Sequence, residues 1–398
     1  MNYSNLVRRI GGGGVDAWKI HSQAVAAATR GEDVIVLSVG DPEFAAPVAI
    51  TEAAVQALRN GDTHYTTIAG RTALRQRIAQ HHSRQFGQPV GTENVIVVGG
   101  AQNGLFCASL CLCGAGDEVL VPEPLYLTYE ATIRASGATL VPVPVLPDGG
   151  FRIDLDALQK AITPRTRAFF FATPCNPTGV VLHRDELQRI AALACEHDLW
   201  VVADEVYGAL TFDTEHISIA SLDGMAARTV TVSSLSKSHA MAGFRIGWVI
   251  APTELIRHIG NLLLCMLYGG PGANQEAACL ALDQYDAVTR DIRATYRRRR
   301  DLVHGLLAAV PGLSCPSPEA GMFMMVDVRG TGLTSNDFAW GLLRHGGVSV
   351  LDAQAFGPSA RGFVRLGLVV DDTRLREACQ RIAAYVGTLV LPSTTSPG

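Results

Sequence analysis

Three lysines stand against thirty arginines in this chain, and one of them, Lys237, lies in Ser233-Ser-Leu-Ser-Lys-Ser238. Eight residues later comes Arg245, inside Gly243-Phe-Arg-Ile-Gly-Trp248. A guanidinium stays charged and cannot condense with a carbonyl, whereas a lysine amine can lose its proton and do so. Lys237 is therefore the candidate Schiff-base lysine and Arg245 the candidate partner of a phosphate. Taken alone, Lys237 reads as a solvated side chain near a strand end. The residues around it in sequence order change that reading.

Asp204 follows an apolar run, and Tyr207 comes three residues after it. A carboxylate entering a closed site needs a cationic partner or a proton, and a protonated pyridine nitrogen would serve. Upstream, Asn176-Pro-Thr-Gly179 by itself is an ordinary turn. Gly99-Gly100-Ala101-Gln102 joins a strand to the start of a helix, where free N–H groups and the helix dipole favour an anion. It matches neither the Gly-x-Gly-x-x-Gly fingerprint nor a Walker A loop. Each piece is common singly. The ordered set of Asn176 with Pro177 and Gly179, Asp204 with Tyr207, Ser234 and Ser236 with Lys237, then Arg245, is specific.

The elements that must hold these residues follow from hydrophobic periodicity. Strands are predicted at Val95–Val98, Glu118–Val121, Ala168–Ala172, Trp200–Ala203, Thr229–Ser233 and Gly247–Ala251, with helical segments such as 184–197 between most of them. Near-continuous apolar strands separated by helices predict a buried, mostly parallel sheet of α/β class. Ligands in such sheets sit beyond the carboxyl ends of the strands, where the polar residues above fall. After about residue 285 the pattern becomes α+β: strands at Met322–Val328, Val348–Leu351 and Phe363–Val369, and helices at Asn336–His345 and from Thr373 to about Leu389. The expected division is a large domain over 46–284 and a small one from 1–45 and 285–391. Gly11–Gly14 reads as a flexible loop and 392–398 as a disordered tail.

A 398-residue chain with 48% apolar residues can build a large core. Its net charge of −4 offers no footprint for nucleic acid or an anionic membrane. The basic run Arg297–Arg300 reads as a solvated helix face or an interface. No apolar stretch has transmembrane length, and the first ten residues lack the apolar core of an export signal. The nine cysteines show no paired spacing, and Cys107, Cys111 and Cys113 read as buried small hydrophobes. No Cys-x-x-Cys or His-Glu-x-x-His pattern occurs, so no metal is expected, and the expected compartment is a reducing cytoplasm.

Nearly the whole chain, from Ser38-Val-Gly-Asp-Pro-Glu-Phe44 to Phe363-Val-Arg-Leu-Gly-Leu368, resembles the class I/II aminotransferases of the fold-type I pyridoxal-phosphate (PLP) enzymes. The resemblance implies a large domain with a mostly parallel central sheet and helices on both faces, plus a small α+β domain. It implies transfer of an α-amino group from an amino acid to a 2-oxo acid by a ping-pong mechanism through Lys237. Asp204 would pair with the pyridinium nitrogen, Tyr207 and Asn176 would bond the ring oxygen, and Tyr126 would stack on the ring. The phosphate would be met by the amides of Ala101 and Gln102, by Ser234, Ser236 and Arg245, and by Tyr65 of a neighbouring subunit, which implies a homodimer. Arg365 would fork onto the substrate α-carboxylate, with Gly40 lining that place.

Longer stretches, among them Leu264-Cys-Met-Leu-Tyr-Gly269 and Ala355-Phe-Gly-Pro-Ser359, resemble a branch of the family that takes arginine as donor and pyruvate as acceptor. Asp41 and Glu43 are the candidate carboxylates for reading a guanidinium. The same scaffold also serves aspartate, aromatic and broad-specificity aminotransferases and β-elimination lyases. A DNA-binding regulator would need a fused domain and a basic surface. A catalytically dead binding protein would have no need of the complete set of polar residues.

Overall fold

The computed structural model describes residues 2–11 and 14–389. Gly12 and Gly13 of the expected glycine loop, and the expected tail from Pro392, lie outside the described residues. Gly14 opens a helix that runs to Thr29. In chain order the strands are β1 (Ile35–Val36), β2 (Val95–Val98), β3 (Glu118–Glu123), β4 (Thr139–Leu146), β5 (Arg152–Ile153), β6 (Thr166–Ala172), β7 (Trp200–Asp204), β8 (Thr229–Ser234), β9 (Gly247–Ile250), β10 (Phe323–Asp327), β11 (Val348–Ser349), β12 (Leu351–Asp352) and β13 (Phe363–Gly367).

Eight of them form the central sheet in the order β2-β9-β8-β7-β6-β3-β4-β5. The pairs β8–β7, β7–β6, β6–β3 and β3–β4 are parallel, whereas β9 is antiparallel to both its neighbours and β5 to β4. Both faces are buried, because successive residues of a strand point to opposite sides. Phe170, Val202 and Val232 pack with Leu105 of the helix Ala101–Leu112 and Ile259 of the helix Thr253–Met266. Phe169, Phe171, Val201 and Ala203 pack on the other face with Leu187 and Ile190 of the helix Arg184–Glu196. That two-sided burial is why the strands read as unbroken apolar runs.

The strand β4 was not expected, for it carries Pro142 and Pro144. It tolerates them because β5 pairs only with Val145 and Leu146, so the flank from Thr139 to Pro144 needs no donors on that side. The C-terminal strands form an antiparallel sheet, β10-β13-β12, and β1 pairs in parallel with β11 through Ile35–Val348 and Val36–Ser349. The N-terminal segment is thereby stitched to the C-terminal one.

The arginine run departs from expectation. It lies on the helix Tyr285–Leu307, but Arg299 and Arg300 are buried. Arg299 pairs with Glu43 and Asp372, and Arg300 with Asp213 and Asp301. A 3.6-residue period cannot keep four consecutive side chains on one solvated face, and here two turn inward onto carboxylates. Among the cysteines, Cys107 and Cys113 are buried and Cys111 is half-buried, and all nine are free thiols. No described helix is long and apolar enough to cross a membrane.

Candidate active site

The central sheet gathers the polar residues at one edge. Since β6, β7 and β8 are parallel, their carboxyl ends deliver Asn176, Asp204 and Ser234 to the same side, and β2, also antiparallel to β9, ends there at Gly99-Gly100. The antiparallel β9 starts at that edge, which brings in Arg245 from just before it. Gly247 is required there. A Cβ on it would lie 2.7 Å from the Ala101 nitrogen, so only glycine lets β9 approach the start of the helix Ala101–Leu112. Gly100 caps that helix at φ 87°, and a Cβ on it would collide with the Arg245 guanidinium.

One cavity of about 270 Å³ results. Gly40, Ala101, Gln102, Tyr126, Asn176, Asp204, Tyr207, Ser234, Ser236, Lys237, Arg245 and Arg365 all line it. Of the residues expected to hold the cofactor or the α-carboxylate, Tyr65 is the one placed elsewhere. It is 83% exposed and packs edge-on against Tyr268, with ring centroids 5.0 Å apart.

Asp204 closes β7 and faces the cavity, with protein packed around its other sides. Burial pushes its carboxyl up to about 6, while the Tyr129 hydroxyl and the Val206 N–H pull in the opposite direction. Tyr129 donates to Asp204 Oδ2 at 2.9 Å and Val206 N–H to Oδ1 at 3.2 Å. Burial also raises the Tyr207 phenol above its ordinary range. Lys237 donates from Nζ to the Gly40 carbonyl at 2.6 Å. Burial lowers its pKa, and Arg245 and Arg365 act in the same direction against nearby Asp41.

At the other side, Arg245 donates to the carbonyls of Gly99 at 2.8 Å and Ala242 at 2.9 Å. Beside it are the buried Ser234 and Ser236 and the first turn of the helix Ala101–Leu112, whose leading N–H groups have no intrahelical acceptors. The Gln102 side chain is held by Thr132 and Thr128.

Arg365 is 2% exposed. It lies between the rings of Phe323 and Phe356, its guanidinium carbon 3.9 Å and 4.8 Å from their centroids. It donates to Asn176 Oδ1 and to the Ser38 carbonyl, both at 3.0 Å, while its Nε has no partner. A buried cation with no carboxylate on it, its pKa pulled down to about 10 by burial, is a waiting site for an anion.

Tyr129, Trp18, Phe323 and Phe356 were not singled out from sequence. Tyr129 had a faint signal, since it stands one helical turn after Tyr126. Phe356 lay in the quoted stretch Ala355–Ser359 with no role given to it, and Trp18 and Phe323 had no signal. Of the two carboxylates considered for a guanidinium, neither lines the cavity. Glu43 is gripped instead by Arg299, which donates to both its oxygens.

A half-buried carboxylate on one side, with a guanidinium, two hydroxyls and a helix start on the other, fits a group with a basic ring nitrogen and a phosphate. The fold and this cavity define a fold-type I enzyme. The profile of the class I and II aminotransferases matches residues 32–382, and the chain belongs to that family. It is 51% identical to the arginine–pyruvate transaminase AruH of Pseudomonas aeruginosa, over 98% of this chain and 99% of that one. It is 36% identical to an aspartate aminotransferase of Pyrococcus abyssi, over 88% and 91% of the two chains. The crystal structure of the Thermus thermophilus aspartate aminotransferase with maleate superposes with a TM-score of 0.92 at 32% identity, covering 97% of this chain and 100% of that one. The protein is therefore an aminotransferase, moving amino groups between amino acids and 2-oxo acids, and its family works with PLP.

Proposed function

We propose that this aminotransferase takes its amino group from L-arginine and passes it to pyruvate, holding PLP in the 270 Å³ cavity. The substrate pair is supported by the 51% identity to the Pseudomonas aeruginosa enzyme along nearly the full length of both chains. The chemistry is supported by one observation above the rest. A half-buried lysine, a half-buried carboxylate and a buried, carboxylate-free arginine line the same cavity.

When bound, PLP supplies an aldehyde that condenses with amines and a protonated ring that withdraws electrons from the Cα–H bond. Asp204, ionised above about pH 6, would hold the ring nitrogen in its protonated form. Tyr207 and Asn176 would donate to the ring oxygen, and Tyr126 would cover the ring face. Arg245, Ser234, Ser236 and the amides of Ala101 and Gln102 would take the phosphate, whose dianion suits a helix N-terminus. Arg365 would receive the α-carboxylate of every donor and acceptor in a two-pronged grip, with Asn176 and Gly40 beside it. Lys237, its pKa lowered by burial, would act as a neutral amine and move the Cα proton, a step worth roughly 10²–10⁴-fold.

Tyr65, exposed and remote from its own cavity, supports a homodimer in which it completes the partner's phosphate site. The reading includes the division into 46–284 and the paired segments 1–45 and 285–391, and a reducing cytoplasm, consistent with nine free thiols. The test mixes the PLP-loaded protein singly with each common amino acid and follows loss of its visible absorbance. Rapid loss with arginine, reversed by pyruvate, is expected. Rapid loss with aspartate or aromatic amino acids and none with arginine would leave the family and remove the substrate assignment.

A further inference from the structure

The arginine reading poses an electrostatic problem that the cavity must solve. Among the described residues its lining contains one carboxylate, Asp204, against the cations Lys237, Arg245 and Arg365. Asp204 is held by Tyr129 and is reserved, in that reading, for the cofactor ring. The Ser38 carbonyl beside the α-carboxylate place is used as well, by Arg365. Glu43 is occupied by Arg299, and Asp41 is exposed outside the lining. Among the described residues of one chain, an uncharged group is what remains to partner a substrate guanidinium.

Trp18 is placed to be that partner. It lies on the helix Gly14–Thr29, half-buried, and lines the cavity together with Val39, Gly40 and Arg365. Its indole meets the His21 ring edge-on at 5.8 Å. His21 Nδ1 is 3.0 Å from Ser38 Oγ, and the Ser38 carbonyl is the one that accepts from Arg365. The indole is therefore tied, through His21 and Ser38, to the group that would fix the α-carboxylate. Burial lowers the His21 pKa, which disfavours a second cation beside the indole.

Resting on the arginine reading, we propose that Trp18 is a specificity-determining residue that receives the donor's guanidinium on its aromatic face by a cation–π contact. Such contacts favour Trp over other rings and arginine-type cations over neutral groups. They also suit a site that must release a neutral-tailed acceptor such as pyruvate, since no buried carboxylate is left unpaired in the second half of the reaction.

The test uses the holoenzyme and two pairs of probes differing only in charge. Arginine is compared with citrulline as donor by kcat/KM, and 5-guanidinopentanoate with 5-ureidopentanoate as non-reacting ligands by calorimetry. In Trp18→Leu, the preference for the charged member of each pair is expected to fall roughly 5- to 30-fold, carried by KM and Kd. Trp18→Phe, which keeps a weaker ring, is expected to lose less. Because both members are read on one preparation, loss of folded protein cancels. Equal weakening of both members, or an unchanged preference, would overturn the inference, as would an Asp41→Asn variant that alone abolishes the preference. A wild-type enzyme that converts alanine but leaves arginine untouched would overturn the arginine reading and this inference with it. One that converts arginine while Trp18→Leu keeps its preference overturns the inference alone.

Discussion

The Tyr129 hydroxyl donates to Asp204 Oδ2 at 2.9 Å from a fully buried position. This bond favours the ionised carboxylate against the burial that pushes it toward neutrality. Removing it in Tyr129→Phe leaves Asp204 more readily protonated, with the Val206 N–H as its remaining donor. A hydrogen bond to a charged group is worth about 1.5 kcal/mol or more, so PLP should bind about tenfold more weakly. Spectrophotometric titration of the cofactor-free protein measures this, and a dissociation constant equal to that of wild type would refute it.

Asp204 itself has a pH-dependent cost. Its folded-state value of about 6 is above the ordinary 3.8, so the folded protein holds this proton more tightly than the unfolded chain does. The folded state therefore loses stability as pH rises from about 4 to about 6, by up to about 3 kcal/mol, and that cost is fully present above pH 6. Asparagine cannot ionise. Cofactor-free Asp204→Asn should resist urea better than wild type at pH 7.5, with the gap closing near pH 4. The same gap at both pH values would show that charge burial is not its cause.

Lys237→Ala tests the attachment point. The PLP-loaded protein should lose its visible absorbance and its turnover together. In wild type, borohydride reduction should leave the cofactor on the peptide containing Lys237. Turnover persisting in the variant, or label on Lys19 or Lys160 instead, would move the role elsewhere.

Glu43→Gln bears on stability more than on substrate choice. Arg299 is 4% exposed and would lose one of its two acidic partners, keeping Asp372 and the Leu368 carbonyl. Breaking a buried ion pair costs about 3–5 kcal/mol, but Glu43 is one-third exposed, so about 1–2 kcal/mol is expected. KM for arginine and for alanine should move together. A rise confined to arginine, with unfolding unchanged, would return Glu43 to the substrate pocket.

The chain's own pattern determined the central sheet and most of its site. Apolar runs buried on both faces leave a strong signal, and the expected ends of β2, β6, β7 and β8 lie within about two residues of those observed. Because ligand-facing residues follow those strands directly, the placing of Asn176, Asp204, Ser234 and Lys237 at one edge could be read from order and spacing. The strand β4 was hidden because its prolines contradict strand chemistry, and only an incompletely paired flank makes them tolerable.

Tertiary structure alone decided which charges are spoken for. Glu43 and Arg299 are 256 residues apart, and local sequence says nothing about such a pairing. The same holds for Tyr129 on Asp204, for the two phenylalanines that enclose Arg365, and for Trp18 reaching the cavity from the N-terminal helix. Periodicity reports which side of an element is apolar. Which distant side chain meets it is set by packing, and packing fixes whether a carboxylate near the site is free to bind substrate or already neutralised by the protein.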